Sequence, residues 1–514
     1  MASSSIKSLA KDTAIYGISS MVGRFLNWLL VPLYTREFLP DEYGVVTEIY
    51  AYVAILMIVL TFGMETGFFR FANHNRWNDP MQVYTTAMTA LLAVSLTFTA
   101  AVCVGAPLWA GLIDCPDRPS FVVLMGITVA IDSFSALPFS YLRFKKRPVR
   151  FAVIKLLGIG INITLNLFFI LFLPWVVDRG VSVPFYDPAY GIGYIFISNL
   201  VASAVTLLLL APELRCRWSF NLTLFREMFS YSFPLLVLGL AGILNQSIDK
   251  VIYKWLVPDQ AEAMAQIGIY GANYKIAVIL VMFLQAFRFA YDPFIFAKQK
   301  EEKKRGGERA YADAMKWFVI VAMFIFLAVM MTIDIVKILI DSNYYSGLKV
   351  VPLIMGAEIF FGIFYNLSVW YKVTDRTYWG TWFTIIGLAI TLGMNAILVP
   401  RIGYMGCAWA AVACYGSMAW LSWIVGRLKH PIGYDLKSIG FYIFLGVALW
   451  IGADFVVKAI THAGLSFTDA LDSSAGLLGW IVKVGAMMIF VSTVIIREKL
   501  PVKHFGSVLL KRIS

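Results

Sequence analysis

Apolar segments of about twenty residues recur along the whole chain, separated by short polar turns. This spacing constrains the fold more than any other feature. A helix rises 1.5 Å per residue, so crossing about 30 Å of hydrocarbon takes roughly 20 residues. On that ruler the sequence predicts fourteen crossings, at roughly 12–34, 45–68, 83–104, 120–142, 151–173, 192–212, 229–256, 267–292, 315–340, 350–372, 379–399, 405–426, 438–460 and 475–496. The connections carry turn sequences such as LPDEYG, CPDRPS, VPDQ and VPRIGYMG. They are short enough that no soluble domain is expected. Only 14% of the residues are charged and 60% are hydrophobic, whereas a soluble protein carries about 25% charged residues. The fold class is therefore an all-α polytopic membrane protein.

The net charge of +12 could suggest nucleic acid as a partner, but its distribution gives another reason. With the N-terminus inside, 29 of the 43 Lys and Arg fall in inside segments, five fall outside (Arg36, Arg118, Arg179, Lys349, Arg401), and nine lie within helices. That is a positive-inside bias, which places both termini in the cytoplasm. The basic runs 143–150 and 298–309 read as topology determinants that meet anionic membrane lipids. The five cysteines form no CxxC pair and the four histidines fall in loops or near helix ends, so no metal site and no cofactor is expected. The first apolar run is too long and too polar for a signal-peptide core and reads as a retained helix. No GxxxxGK[ST] loop is present, which argues against direct ATP use.

The chain also repeats itself. YGVVTEIYAYVAIL (43–56) aligns with IGIYGANYKIAVIL (267–280), pairing Gly44 with Gly268, Tyr50 with Tyr274 and Leu56 with Leu280 at an offset of 224. Segments 166–196 and 395–409, and 141–151 and 371–381, give weaker pairs. Crossings 1–6 thus repeat as 7–12. Six crossings return the chain to its starting side, so the repeats are parallel. The expected organisation is a lobe at 1–228, a second at 229–437, and two further crossings with a tail at 438–514. Two repeated bundles invite alternating access through a central cleft.

Charge inside hydrocarbon costs a few kcal/mol even on lenient scales, so the intramembrane polar residues are the candidate site. Tyr16, Ser20, Arg24 and Asn27 share one face of crossing 1. Arg24 sits mid-helix, either as a fixed cation for a phosphate or in an ion pair with Glu65 or Asp132. Crossing 7 carries Asn245, Gln246 and Asp249. Asp249 would bind a coupling cation, with Asn245 beside it, or pair with a neighbouring lysine. Lys254 is expected to snorkel to the interface. Lys275, Gln285 and Arg288 on crossing 8 are candidates for the cleft, with the two cations as phosphate ligands. Glu48 is expected to be hydrated near the outer boundary, and Glu65 and Arg70 flank the inner boundary, where they could pair. Asp334 with Lys337, and Asp454 with Lys458, have the spacing of local ion pairs. Basic and acidic groups within the crossings are nearly equal in number, so counting leaves the sign of the cleft open. Pro32, Pro138, Pro234 and Pro352 are expected to bend crossings 1, 4, 7 and 10.

Several of these stretches together have a familiar pattern. An apolar helix ends in VPLYTREFLPDEYG, the next closes in FGMETGFFRF, and IDK…IGIYGANYK and N-x-x-L-x-P-x-x-G-Y-x-G (395–406) follow. The chain resembles the polysaccharide (O-antigen) flippases of the Wzx type, within the superfamily of multidrug, oligosaccharidyl-lipid and polysaccharide exporters. The resemblance implies a bacterial inner-membrane protein with two six-helix lobes and a cleft lined by crossings 1, 2, 7 and 8. It implies transport of an undecaprenyl-pyrophosphate-linked oligosaccharide from the cytoplasmic to the outer leaflet, with Arg24 as the cleft arginine that transfers most readily. In the related lipid II flippases the last two helices form a groove for the lipid tail. Asp454, Lys458 and Lys483 make these crossings more polar than such a groove would be.

The expected function is flipping of a lipid-linked oligosaccharide by alternating access, driven by membrane potential or by a Na+ or H+ gradient, with no enzymatic step. One alternative is a cation-coupled small-molecule exporter of the same superfamily. Another is a membrane glycan polymerase or ligase, which would need a larger outside loop than the one at 174–191.

Overall fold

The computed structural model describes residues 17, 19, 21–23, 25–73, 79–113, 115–301, 307–374, 376–462 and 476–500, and every regular element among them is a helix. The main helices are α1 Val31–Glu37, α2 Pro40–Thr61, α3 Met64–Ala72, α4 Pro80–Val104, α5 Pro119–Phe144, α6 Pro148–Leu167, α7 Gly193–Leu209, α8 Leu222–Leu256, α9 Gln260–Glu301, α10 Gly307–Met331, α11 Val351–Leu367, α12 Tyr378–Ile402, α13 Tyr404–Lys429, α14 Leu436–His462 and α15 Leu477–Arg497. Twelve described spans are long and apolar enough to cross a membrane. Gly193–Leu209, at 17 residues, falls just short on length, and the first expected crossing lies partly outside the described residues. The expected count of fourteen goes beyond these twelve.

The ends of the helices have local causes. Pro40 opens α2 at a position where its missing N–H is no loss, and the Glu42 carboxylate accepts from the Leu39 N–H at 3.0 Å. Asn221 caps α8 by accepting from the Leu224 N–H at 3.1 Å, and Asp79 caps α4 by accepting from the Met81 N–H at 2.9 Å. Crossing 2 is broken between α2 and α3, where Phe62 and Gly63 both take the left-handed conformation. The sequence reading missed this break. Pro138 and Pro234 lie inside α5 and α8, which continue through them, whereas Pro32 and Pro352 sit in the first turns of α1 and α11. A proline in the first turn starts a helix rather than bending one. Several helices outrun their apolar cores. α8 has 35 residues and α9 has 42, because helical hydrogen bonding continues past the hydrocarbon while hydropathy does not.

The molecule divides into two compact units. The larger comprises the described parts of Met1–Lys275, Ile340–Gly347 and Thr384–Ala411; the smaller comprises those of Ile276–Leu339, Leu348–Phe383 and Val412–Ser514. Compactness and internal repetition are different properties, so this division leaves the expected repeat boundaries at 228/229 and 437/438 untested.

In the larger unit, α3, α4, α5 and the start of α8 enclose an apolar core around Met64, Phe68, Tyr84, Met88, Leu137 and Met228, all fully buried. At one end of this unit α2 and α9 touch backbone to backbone. A Cβ on Gly44 would run into the Met264 carbonyl, and one on Gly268 into the Pro40 carbonyl. These two glycines are the pair that the expected repeat matches, and the same offset of 224 matches Pro40 with Met264. The same end is tied by Tyr344, whose hydroxyl donates to the Phe38 carbonyl at 2.8 Å while its own carbonyl accepts from Asn273 at 2.8 Å.

In the smaller unit, α10, α14 and α15 are joined by polar contacts at both ends. Lys316 bonds Glu498 at 2.6 Å and the Tyr442 hydroxyl donates to the same carboxylate at 2.8 Å. At the other end the largely buried Lys483 pairs with Asp334, which also has Lys337 at 4.0 Å. The expected local pair Asp454–Lys458 forms at 2.7 Å on an exposed face.

Candidate functional site

Two cavities in the larger unit gather many of the polar residues of its helices. The first, about 470 Å³, is lined by Asn27, Tyr34, Tyr50, Asn162, Asn199, Gln246, Lys250, Tyr274 and Lys275, among others. Its walls are fixed by hydrogen bonds. The Tyr34 hydroxyl donates to Asn166 Oδ1 and Asn199 donates to the Tyr50 hydroxyl, both at 2.8 Å. The Trp28 indole donates to the Lys275 carbonyl at 2.8 Å, which anchors the first helical stretch against α9.

The charges around this cavity are unequal. Lys250 is neutralised by Asp249 at 3.0 Å and lies over the rings of Tyr270 and Tyr274 at 5.2 and 4.8 Å. The other oxygen of Asp249 accepts from the Tyr270 hydroxyl at 2.9 Å. Of the two roles open to Asp249 in the sequence, the structure shows the lysine pair. Asn245 is buried and committed, donating to the Thr384 carbonyl at 3.0 Å and accepting from Thr391 at 3.3 Å. Lys275 lines the cavity, and its ammonium has no ion-pair or hydrogen-bond partner among the described residues. It gives the cavity a surplus positive charge.

The second cavity, about 530 Å³, is lined by Ser19, Asn27, Glu65, Asp132, Ser135, Phe139, Arg143, Phe151, Lys155, Asn162, Asn199, Ser203 and Thr206, among others. Asn27, Asn162 and Asn199 belong to both cavities. Glu65 accepts from Arg143 at 2.9 Å and from Ser140 at 2.8 Å. Asp132 has Ser203 and Lys155 among its polar neighbours.

Several sequence expectations change here. Glu65 pairs with Arg143, not with Arg70; the Arg70 guanidinium stacks 3.9 Å over the Tyr231 ring and lines neither cavity. Lys254 does not snorkel and Glu48 is not hydrated. They form a 2.9 Å ion pair with side chains 1% and 2% exposed, and Lys254 also donates to the Leu112 carbonyl at 2.6 Å. An opposite charge and a carbonyl inside the protein leave Lys254 no reason to seek water. Gln285 and Arg288 belong to the smaller unit, where Arg288 lies 4.4 Å over the Tyr365 ring, and neither lines these two cavities. Arg24 lies outside the described residues.

Asp132, Arg143, Lys155, Asn162, Asn199 and Ser203 were not picked out as site residues from the sequence. For Lys155 and Asn162 a signal existed: 155, 158 and 162 share one helical face on which a lysine, a glycine and an amide interrupt an apolar run. Arg143 was hidden in a basic run that had a sufficient explanation in topology.

Comparison with solved structures finds the same fold in known membrane transporters. The inward closed conformation of the lipid II flippase MurJ superposes with a TM-score of 0.71, covering 94% of this chain and 99% of that one at 12% identity. An inward-facing multidrug resistance MATE family transporter of the MOP superfamily gives a TM-score of 0.63, covering 81% of this chain and 94% of that one at 13% identity. A MATE protein in the straight conformation gives 0.57, covering 82% and 95% at 15% identity. Comparison with curated protein sequences finds no match. The model of the polysaccharide biosynthesis protein family matches residues 9–297. That is more than half of the chain, and the chain therefore belongs to the polysaccharide biosynthesis protein family, on the fold shared by flippases and exporters of the MOP superfamily.

Proposed function

We propose that the protein flips an undecaprenyl-pyrophosphate-linked oligosaccharide from the cytoplasmic to the outer leaflet of a bacterial inner membrane, by alternating access. The observation that carries this reading is the uncompensated Lys275 in a cavity walled by amides and tyrosines. A cation facing a cavity inside the membrane marks the place of an anion, and the pyrophosphate is the anionic part of such a substrate. Arg24, expected on the same face of the first crossing as Asn27, would add a second cation. With both termini cytoplasmic, as the Lys and Arg distribution argues, the Gly44–Gly268 contact closes the outer end. A surplus of positive charge does not favour the organic cations of a multidrug exporter. Coupling to Na+ or H+ through Asp249 and Asn245 would require Lys250 to release Asp249 during the cycle.

The test is deletion of the gene in its native host, with surface polysaccharide and inner-leaflet lipid-linked repeat unit measured together. Loss of the first with accumulation of the second is the expected result. Lys275→Ala should restore less than a tenth of the surface polymer, and Lys275→Arg should restore most of it. Unchanged pools in the deletion strain would reject the reading.

A further inference from the structure

The second cavity has a chemistry that a pyrophosphate does not explain. Its four charged residues are two acids, Glu65 and Asp132, and two bases, Arg143 and Lys155, so among the described residues their formal charges cancel. Its wall carries neutral hydrogen-bonding groups as well: the Asn27, Asn162 and Asn199 amides and the Ser203 and Thr206 hydroxyls.

The side chains present suit a neutral ligand rich in hydroxyls. Carboxylates and a guanidinium can each bind two neighbouring hydroxyls, and the Asn162 and Asn199 amides both donate and accept. Phe139 and Phe151, packed edge to face at 5.2 Å, form the apolar part of the wall. The volume of about 530 Å³ lies in the range of small-molecule sites. The shared asparagines make this cavity adjoin the one that holds Lys275.

We infer that the second cavity is the glycan subsite, which reads the hydroxyls of the sugars nearest the pyrophosphate. This rests on the flippase reading above and adds a division of labour to it: Lys275 holds the anion common to all such lipids, and Asp132, Ser203, Asn162 and Arg143 hold the part that differs between them. A site built to bond substrate hydroxyls discriminates strongly against a ligand that lacks them, because its polar groups are then left unpaired.

The test compares two probes on the purified full-length protein in nanodiscs. One is the lipid-linked repeat unit extracted from the deletion strain; the other is undecaprenyl pyrophosphate, which carries no sugar. The wild type should bind the glycosylated lipid at least tenfold more tightly than the bare one. Asp132→Asn, and separately Ser203→Ala, both confined to the second cavity, should bring that ratio towards one while leaving the affinity for the bare lipid unchanged. That unchanged affinity also shows that the variants fold. Lys275→Ala should weaken both probes alike. A wild-type ratio near one, or a ratio that neither variant moves, would overturn the glycan subsite while leaving the flippase reading intact. A wild type that binds neither probe would overturn both.

Discussion

Lys254 shows most clearly what a single residue can and cannot reveal in a sequence. Its position near a helix end suggests snorkelling, and nothing near it in the sequence gives another fate. Its partners, Glu48 and the Leu112 carbonyl, come from distant segments. Glu65 and Arg143 are a second case. Each reads alone as a boundary charge, and only the fold makes them a pair. The presence of charges on these helices was therefore legible, but their burial and long-range pairing were not, because charge pairing has no sequence period. A desolvated pair has a defined signature. Lys254→Met or Glu48→Gln alone leaves one charge buried and should cost about 3–5 kcal/mol of stability. The double substitution should cost clearly less than the sum. Thermal unfolding of the four proteins in one detergent forms the double-mutant cycle that checks this.

At the scale of elements, two of the residue pairs matched by the expected repeat can be located in the structure. An offset of 224 pairs Gly44 with Gly268 and Tyr50 with Tyr274. The structure brings the two glycines together and puts both tyrosines on the wall of one cavity. The break between α2 and α3 was not visible, because Phe62 is no turn residue and the hydropathy runs through it. The contact between α2 and α9 leaves no space for a side chain, so Gly268→Val should force the helices apart. The expected cost is about 1–3 kcal/mol or more, the range for overpacking, read as a lower melting temperature. Transport should fall with it, since on the present reading the same contact closes the outer end.

For the molecule as a whole, composition and segment length were enough to give the class, and the family match and the fold agree with it. The polar staple of the smaller unit could not be foreseen, since Lys316, Tyr442 and Glu498 lie on three different segments. Burial pushes the Glu498 carboxyl up, but the hydrogen bonds from Lys316 and Tyr442 outweigh it and hold the group below its ordinary value. Asp435, which caps α14 through Ser438, is likewise held low by the Ser438 hydroxyl and N–H. A carboxylate whose folded pKa is depressed contributes stability that is complete above its unfolded value, about 4, and is lost as pH falls through the folded value. Melting temperature should therefore be flat from neutral pH down to about 5 and fall below about 4. Glu498→Gln should flatten the acid limb and lower the plateau.

The glycine contact also bears on how this sequence can drift. At Gly44 and Gly268 the obstacle to a side chain is the backbone of another helix, which cannot step aside as a flexible side chain can. A saturation library should return no functional substitutes at these two sites. Gly160, Gly242 and Gly356, where an added Cβ meets nothing within 4 Å, should accept alanine freely. The line where the backbones of α2 and α9 touch is therefore the part of these helices least free to change.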